Sequence, residues 1–183
     1  MKEIEVCVRI EGVTPLFFNK RPPEEEGPKK AKAVEYNYEE DALKKAHGDK
    51  KDGFFIPSDM LQASMREAGK SFPLKKSTHK KLAAIAVKVS TEQVPLEHKG
   101  YVVDTRWGTH PSTGNSVAVS RVRFDKWAAD FTLTVNIDRI TVDMTKTILE
   151  EAGDVCGIGS YKPANKNPGP YGRFKVTKWE VNE

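Results

Sequence analysis

The chain has 183 residues, of which 38% are hydrophobic and 31% are charged, and its formal net charge is +4. This composition excludes an intrinsically disordered chain, and the length suits one domain. The two cysteines, Cys7 and Cys156, lie in no CxxC or Cys/His motif, which argues against a disulfide framework and a structural zinc site. No apolar run approaches the roughly 20 residues of a membrane helix. We therefore expect a cytoplasmic protein with no membrane partner, metal or cofactor.

The first segment alternates apolar and polar residues, which predicts a strand with one buried face. The apolar positions are Ile4, Val6, Val8 and Ile10.

Residues 21–53 follow and are rich in Pro, Glu and Lys, with few residues that build a core. We interpret them as an insertion or mobile arm, because loops of this length are usually functional or disordered. Their middle, EEDALKKA, is compatible with a short helix.

The stretch FFIPSDMLQASMREAGKSF is the clearest helical signal in the chain. It predicts a helix over 58–70, with Ser58 or Asp59 as the N-cap. Its apolar stripe consists of Leu61, Met65, Ala68 and Phe72. A basic connector follows, and LAAIAVKVSTEQVPL then predicts a strand because its apolar residues alternate over 85–89.

The second half of the chain reads as strand, strand, helix and strand. Residues 99–116 are rich in Gly and Thr and form an extended excursion in this interpretation. SVAVSRVRF and ADFTLTVNID then predict a hairpin of two long strands. ITVDMTKTILEEAG predicts a helix that is capped by Thr141 or Asp143 and stopped by Gly153. GRFKVTKWEV predicts the last strand, with a bulge near Lys178.

The predicted element order is therefore β, α, β, β, α, β. It indicates an α+β protein with a modified ferredoxin-like, or RRM-like, domain that spans 1–183. Two insertions interrupt this order, one after the first strand and one before the central hairpin. In such a fold the helices cover one face of an antiparallel sheet and leave the other face free.

Enzyme motifs are absent from the sequence. It contains no HExxH, GxSxG or P-loop pattern, and no two histidines lie at metal-ligand spacing. GIGSYK lacks the third glycine of a dinucleotide site and precedes a strand rather than a helix. Asp41, Asp49 and Asp52 in the first insertion are compatible with a divalent metal or a general base, or with plain solvated charges. We assign no catalytic residue.

Basic and aromatic residues favour a binding protein. Arg121 and Arg123 lie two apart on one side of a strand, and Arg106 and Trp107 lie upstream. Arginines supply phosphate contacts, and aromatic rings stack on bases. Further cations lie in the helix connector and in the last loop, namely Lys75, Lys76, Lys80, Lys81, Lys162, Lys166 and Arg173. FTLTV is no RNP motif, so the pattern favours recognition of a nucleic-acid backbone over base reading.

Two motifs carry a resemblance to a known family. FFIPSDMLQASMREA resembles the turn IPGSSLKGALR into a first helix, although PSDM lacks the glycine of that pattern. CGIGSYKPANKNPGPYGRFKV resembles GGxxxxGxGxF/V before a final strand. With the modified ferredoxin-like order, the chain resembles the RAMP superfamily of CRISPR-associated proteins. It is most similar to the backbone (seven-type) subunits that polymerise along guide RNA, and its length is compatible with a stand-alone or phage-borne relative.

The resemblance implies roles for particular residues. Glycines at positions Gly157, Gly159, Gly169 and Gly172 would let the last loop approach an RNA backbone. Ser58, Gln62 and Arg66 would lie near RNA phosphates at the start of the first helix. Residues 99–116 would be a thumb-like excursion that wedges between nucleotides and touches the next subunit. In RNA-cleaving branches of the family, an aspartate of the first insertion is catalytic.

Our first hypothesis is an RNA-binding, non-catalytic subunit of a CRISPR-type ribonucleoprotein complex. It would assemble side by side along single-stranded guide RNA, with copies of itself or with other effector subunits. One alternative is a metal-dependent endoribonuclease of the same fold. Another is a phage interaction protein that mimics or blocks such a complex. The sequence does not distinguish RNA from single-stranded DNA.

Overall fold

The fold is known from a computed structural model that describes residues 2–20, 37–109 and 113–182. The helices of this part are α1 (Tyr38–Lys44), α2 (Ser58–Ala68), α3 (Lys80–Ile85) and α4 (Val142–Glu151). Its strands are β1 (Glu3–Gly12), β2 (Leu16–Phe17), β3 (Gly48–Asp49), β4 (Gly53–Pro57), β5 (Pro73–Leu74), β6 (Ser77–Thr78), β7 (Val87–Val89), β8 (Gln93–Pro95), β9 (Glu97–His98), β10 (Val102–Thr109), β11 (Ser116–Phe124), β12 (Trp127–Asn136) and β13 (Phe174–Asn182). The predicted α+β class is confirmed.

The main sheet is antiparallel and has the strand order β13-β1-β12-β7. Its centre is β1, whose Val6, Val8 and Ile10 are fully buried, as their alternation predicts. Helices α2 and α4 pack against each other and against this sheet. The predicted bulge near Lys178 is confirmed, because the β1–β13 register shifts where Arg9 faces Lys178 and Ile10 faces Val176.

Smaller sheets surround the main one, with the orders β10-β11-β2, β3-β4-β8 and β5-β6. The predicted hairpin of β11 with β12 is wrong. Strand β11 pairs with β10 and β2, whereas β12 pairs with β1, β7 and β9. A two-residue hairpin loop favours Asn-Gly or Asp-Gly because it needs positive φ angles. Asp125 and Lys126 adopt no positive φ, so the chain passes from one sheet into the other.

The strand predicted over 82–96 is partly wrong. Residues Lys80–Ile85 form α3, and Ile85 is exposed at the end of this helix. Its sequence KKLAAI is rich in strong helix formers, and their propensity outweighs the apparent alternation. The strand begins only at β7, and β8 follows after a short turn.

The helix ends differ in how they are capped. The N-cap of α2 is Pro57 and makes no side-chain hydrogen bond, so the predicted cap by Ser58 or Asp59 is wrong. The cap of α4 is correct, because Thr141 accepts a hydrogen bond from the Met144 amide at 3.1 Å. The predicted stop at Gly153 is wrong, since a π-helical turn continues over Ala152–Cys156 to Gly157.

The first insertion falls partly outside the described residues, which leave out 21–36. The compatible short helix is present as α1, and Asn37 caps it by accepting a hydrogen bond from the Glu40 amide at 3.1 Å. Ala42 and Ala46 are buried in the core. That 21–53 acts as an insertion or arm stays a prediction, although 37–53 contributes to the packed protein.

The face of the main sheet opposite Val6 and Val8 is polar. Cys7 and Arg9 of β1 point to it, and Arg9 forms ion pairs with Glu97 and Asp130. Its other described residues from β1, β12 and β13 include Glu5, Thr132, Thr134, Lys178 and Glu180. None of the described positions on this face is aromatic. The face therefore offers no stacking platform of the RRM type.

Within the part of the chain that the structure describes, each helix falls short of the length and apolar character that a membrane span requires.

Candidate nucleic-acid interface

One face of the β10-β11-β2 sheet gathers the predicted arginines. The register places Asp104 opposite Arg121, and Arg123 opposite Phe17. Arg106 lies two residues beyond Asp104 and therefore on the same side of β10. Arg121 and Arg123 share one side of β11, as their spacing predicts, and the pairing of β10 with β11 brings Arg106 to them.

The glycine-rich loop covers this face with two tyrosines. The Arg106 guanidinium carbon lies 5.1 Å from the Phe17 ring centroid, 5.2 Å from that of Tyr161 and 5.1 Å from that of Tyr171. Cation–π attraction and the hydrogen bond from Arg106 Nη2 to the Tyr171 hydroxyl, 3.2 Å, hold the loop on the sheet. Neither tyrosine was predicted as a site residue, although both stand inside the loop motif.

Asp104 forms ion pairs with two of the three arginines. Its carboxylate accepts hydrogen bonds from Arg106 Nε at 2.6 Å and from Arg123 Nη1 at 2.8 Å. The hydrogen bond from Arg106 is the main cause that lowers the pKa of Asp104. Arg123 also pairs with Asp125 at 2.7 Å. The charges of Arg106 and Arg123 therefore stabilise the fold through ion pairs within the protein. Asp104 was not predicted as a site residue.

Replacing Asp104 with Asn should lower the free energy of unfolding by about 1–3 kcal/mol near neutral pH, because two guanidinium groups lose a charged acceptor. A folded-state pKa below the ordinary value of 3.8 contributes stability that is fully present above that value. The contribution is lost as the pH falls through the lowered pKa. Urea unfolding of both proteins across this range should show the difference shrinking in acid. A difference that is independent of pH would contradict the ionic role.

Arg121 is in a different situation. Its Nη1 donates a hydrogen bond to the Tyr161 hydroxyl, and its guanidinium carbon lies 4.5 Å from the Tyr161 ring centroid. Among the described residues it forms no ion pair, and its buried Nε has no hydrogen-bond partner. The buried Nε of Arg173 also has no hydrogen-bond partner among the described residues. The backbone amide of Arg173 donates to the Thr14 hydroxyl. These two arginines therefore carry charge that an anion is able to neutralise.

The glycines of the loop approach the backbone of their own chain. A Cβ on Gly172 would overlap the carbonyl oxygen of Ile158, and one on Gly159 would overlap that of Phe17. Both glycines also have positive φ angles, 72° and 76°. A Cβ on Gly169 would likewise overlap the carbonyl oxygen of Tyr161, whereas one on Gly157 would lie 3.0 Å from Pro163 Cδ. Internal packing thus explains the glycines, and their contact with RNA stays a prediction.

The loop is internally hydrogen-bonded. The Ile158 amide donates to Gly172 O at 2.9 Å, the Gly172 amide to Pro15 O at 2.9 Å, and the Ser160 amide to Phe17 O at 2.9 Å. These bonds join the loop to the segment around β2. Lys162 and Lys166 extend from this ordered loop, with Lys166 exposed. These bonds make the stretch an ordered part of the fold.

Helix α2 places the predicted Gln62 and Arg66 in one groove. The groove has a volume of about 450 Å³, and its other lining residues are Asp59, Ala63 and Ala84. The side chain of Gln62 donates to Val87 O at 3.3 Å. Ser58 is the first residue of the helix, and its amide donates to Glu92 O at 2.8 Å.

Ser64 connects helix α2 to the glycine-rich loop and was missed in the sequence analysis. Its hydroxyl donates to Gly157 O at 2.8 Å, and only 1% of the residue is exposed. The sequence signal for such a bond is a serine at a position of the apolar stripe, where a helix buries its side chain. Helix α2 therefore lies between the loop on one side and the groove on the other.

Replacing Ser64 with Ala should lower the free energy of unfolding by about 1–2 kcal/mol, because the buried carbonyl of Gly157 loses its donor. Thermal unfolding measures this loss. The matched change is Ala63→Ser, which lies half-buried on the groove side of the same helix and for which we expect less than about 0.5 kcal/mol. Equal losses in the two variants would contradict the bond's contribution.

Trp107 is separated from the arginines. It lies on the opposite face of β10 from Arg106, and 77% of it is exposed. Residues 110–112, between β10 and β11, fall outside the described residues. The excursion 99–116 contains β10, which pairs along its whole length with β11. Its thumb-like role stays a prediction.

The aspartates of the first insertion have structural partners. Asp41 forms an ion pair with Lys45 inside α1. Asp49 accepts hydrogen bonds from the amides of Lys51 at 2.8 Å and Asp52 at 2.7 Å, and these lower the pKa of Asp49. Across 2–20, 37–109 and 113–182, no three Asp, Glu, His or Cys side chains group as metal ligands. Nothing in this arrangement favours one aspartate as a catalytic base.

No family model matches the chain, and no curated protein matches it. The fold matches a chain in the cryo-EM structure of the Type III-B Cmr-beta bound to cognate target RNA, with a TM-score of 0.58 and 13% sequence identity. The protein therefore shares its fold with part of that chain. The match covers 100% of this protein and 61% of that chain. The resemblance inferred from the sequence is thus confirmed at the level of fold.

A second solved structure, a CRISPR RNA-guided surveillance complex, gives a weaker match. Its TM-score is 0.37 at 13% identity, and the match covers 88% of this protein and 65% of that chain.

Proposed function

We propose that this protein binds single-stranded RNA and assembles side by side along a guide RNA, with copies of itself or with other effector subunits. The observation that carries the proposal is the fold likeness over 100% of the chain to part of an assembly solved with its cognate target RNA. The neighbour is longer, so its partners are carried over only as a proposal.

The strand order supports the finer, ferredoxin-like interpretation of the fold. If β1, β7, β12 and β13 are the four core strands, their spatial order is fourth, first, third, second. Helix α2 then precedes the second core strand and α4 precedes the fourth, as in the predicted βαββαβ order. The strands β8 to β11 form the insertion between the second and third core strands.

Charge distribution favours the loop side of the molecule over the open sheet face. On the loop side, Arg121 and Arg173 lack carboxylate partners among the described residues, and Lys162 and Lys166 extend from the adjoining loop. On the open face, Arg9 and Lys178 are already paired with Asp130 and Glu180, and Glu5 adds a further negative charge. The proposed RNA path therefore follows the glycine-rich loop, with backbone contacts rather than base stacking.

Fluorescence anisotropy with a labelled single-stranded RNA of about 30 nucleotides tests this function. We expect the logarithm of the affinity to fall linearly with the logarithm of salt concentration between about 50 and 200 mM. Sedimentation should show several protein copies on one RNA. Single-stranded DNA and duplex RNA of the same sequence serve as matched probes. Failure to bind RNA at the lowest salt would overturn the proposal.

A further inference from the structure

The positive charge of the molecule is concentrated in one segment. Between Glu67 and Glu92 the chain has no acidic residue, and residues 68–91 contain six lysines: Lys70, Lys75, Lys76, Lys80, Lys81 and Lys88. Without these six, the 30 basic residues fall to 24 against 26 acidic residues, a net charge of −2. The net charge of +4 therefore depends entirely on this part, which we call the lysine segment (residues 68–91).

The fold projects the lysine segment from the end of helix α2. The hairpin β5–β6 leaves after the 3₁₀ turn Gly69–Ser71, and α3 returns the chain to the core. Gly69 permits this return, because a Cβ there would lie 2.9 Å from the Lys80 amide nitrogen. The His79 amide donates to Phe72 O at 3.0 Å and closes the base of the hairpin.

The lysines of this segment are available to a ligand. Lys75, Lys76, Lys80 and Lys81 are exposed, and none of the four forms an ion pair with a described residue. By contrast, Lys70 pairs with Glu67 at 2.6 Å. Four unpaired lysines on one projecting element concentrate charge in a way that a scattered solvated surface does not.

The tip of the hairpin carries a strained lysine. Lys75 has a φ of 49°, in the left-handed region that glycine or asparagine adopts at lower cost. Backbone strain in a non-glycine residue often accompanies a functional position. A lysine at this turn places its charge at the exposed tip of the hairpin.

The segment continues into the groove beside α2. Ala84 of α3 faces Gln62 and Arg66 of α2 across this groove of about 450 Å³. Arg66 is exposed at its edge, so cations extend from the groove to the hairpin tip.

We propose that the lysine segment is a second backbone-binding surface for single-stranded RNA, with Lys75, Lys76, Lys80 and Lys81 each contacting a phosphate. The proposal rests on the proposed function and adds a surface away from the glycine-rich loop. Protein–protein interfaces are depleted in lysine, whereas phosphate backbones attract it. An RNA backbone therefore suits the segment better than an acidic protein.

Replacing these four lysines with alanine tests the second surface. On single strands each phosphate contact contributes a salt slope of about 0.7, so the slope should decrease in magnitude by about 2–3 and the affinity near 0.1 M salt by about 100-fold or more. The control replaces four exposed lysines elsewhere, namely Lys2, Lys51, Lys126 and Lys175, with the same change in net charge. The control should lose less than about tenfold and keep its slope.

The outcomes separate the two proposals. No RNA binding by the unaltered protein overturns the proposed function and the second surface together. RNA binding with equal losses in both four-lysine variants overturns the second surface alone. A lysine-segment variant that keeps its RNA affinity but no longer binds a poly-glutamate peptide would assign the segment to an acidic protein and likewise overturn the proposal.

A single substitution distinguishes loss of RNA binding from loss of the fold. Lys75→Gly removes one charge and relieves the positive φ, so the melting temperature should stay equal or rise while RNA affinity falls about three- to tenfold. Lys75→Arg should keep the affinity within about twofold. A fall in melting temperature that parallels the loss of affinity in Lys75→Gly would contradict a direct role.

Discussion

Replacing Gly172 with Ala should lower the free energy of unfolding by about 3 kcal/mol or more. The new Cβ would overlap the Ile158 carbonyl oxygen, and the φ of 72° disfavours any side chain. The carbonyl is unable to retreat easily, because Ile158 and Gly172 are also joined by a backbone hydrogen bond of 2.9 Å. Urea unfolding at constant temperature measures the loss.

Gly114 provides the matched control for this substitution. Its φ is 70°, almost the same as that of Gly172, but a Cβ there meets nothing within 4 Å. Gly114→Ala should therefore cost only the backbone strain, about 1–2 kcal/mol. The difference between the two variants isolates the steric overlap. Equal losses would mean that the packing of the loop against Ile158 contributes nothing.

Replacing Arg121 with Ala should weaken RNA binding by about 1.5–3 kcal/mol, which is roughly 10- to 150-fold in affinity. This arginine has no ion pair among the described residues, so the proposed phosphate would be its first anionic partner. Removing it breaks the hydrogen bond to the Tyr161 hydroxyl and the cation–π contact with the Tyr161 ring. We therefore expect the free energy of unfolding to fall by about 1–2 kcal/mol.

Arg123→Ala is the matched comparison for Arg121→Ala. Arg123 is bound to Asp104 and Asp125, so its removal should lower stability by about 1–3 kcal/mol. RNA affinity should fall less than in Arg121→Ala, because the Arg123 charge is already neutralised. Anisotropy titrations and urea unfolding of both variants measure the two effects. The reverse ranking of affinities would contradict the assignment of Arg121.

Local signals predicted the elements that depend on near neighbours. The alternation in β1 and the stripe of α2 correspond to buried residues, because each periodicity follows from the geometry of a single element. Thr141 could be identified as a cap because its acceptor and the Met144 amide are three residues apart. The bulge near Lys178 was visible as a change in the alternation of Phe174, Val176 and Trp179.

Pairing between distant segments was not predictable in the same way. Strands β11 and β12 are adjacent in the chain, and each has the pattern of a half-buried strand. Their partners were decided by the turn at Asp125 and Lys126 and by residues more than 100 positions away, such as Arg9 opposite Asp130. Helix α3 was missed because three alternating positions were given more weight than helix propensity.

The candidate site shows the same contrast between local signals, which were predictable, and contacts between distant residues, which were not. The spacing of Arg121 and Arg123 placed them on one strand face correctly. Their different electrostatic states depend on Asp104 and Tyr161, which lie 17 to 40 residues away, and no spacing rule connects either residue to its arginine. The glycines signalled a close backbone approach, but the sequence contains no information on whether that backbone belongs to RNA or to the protein itself.

The ordered state of the glycine-rich loop has a consequence for the thermodynamics of binding. Its amides are bonded to Phe17, Pro15 and Gly172 before any ligand arrives. The conformational entropy of these residues is therefore lost when the chain folds and not when a ligand binds. Calorimetry of a ligand that contacts this loop should yield a heat-capacity change set by the surface buried in the interface, with no contribution from loop folding.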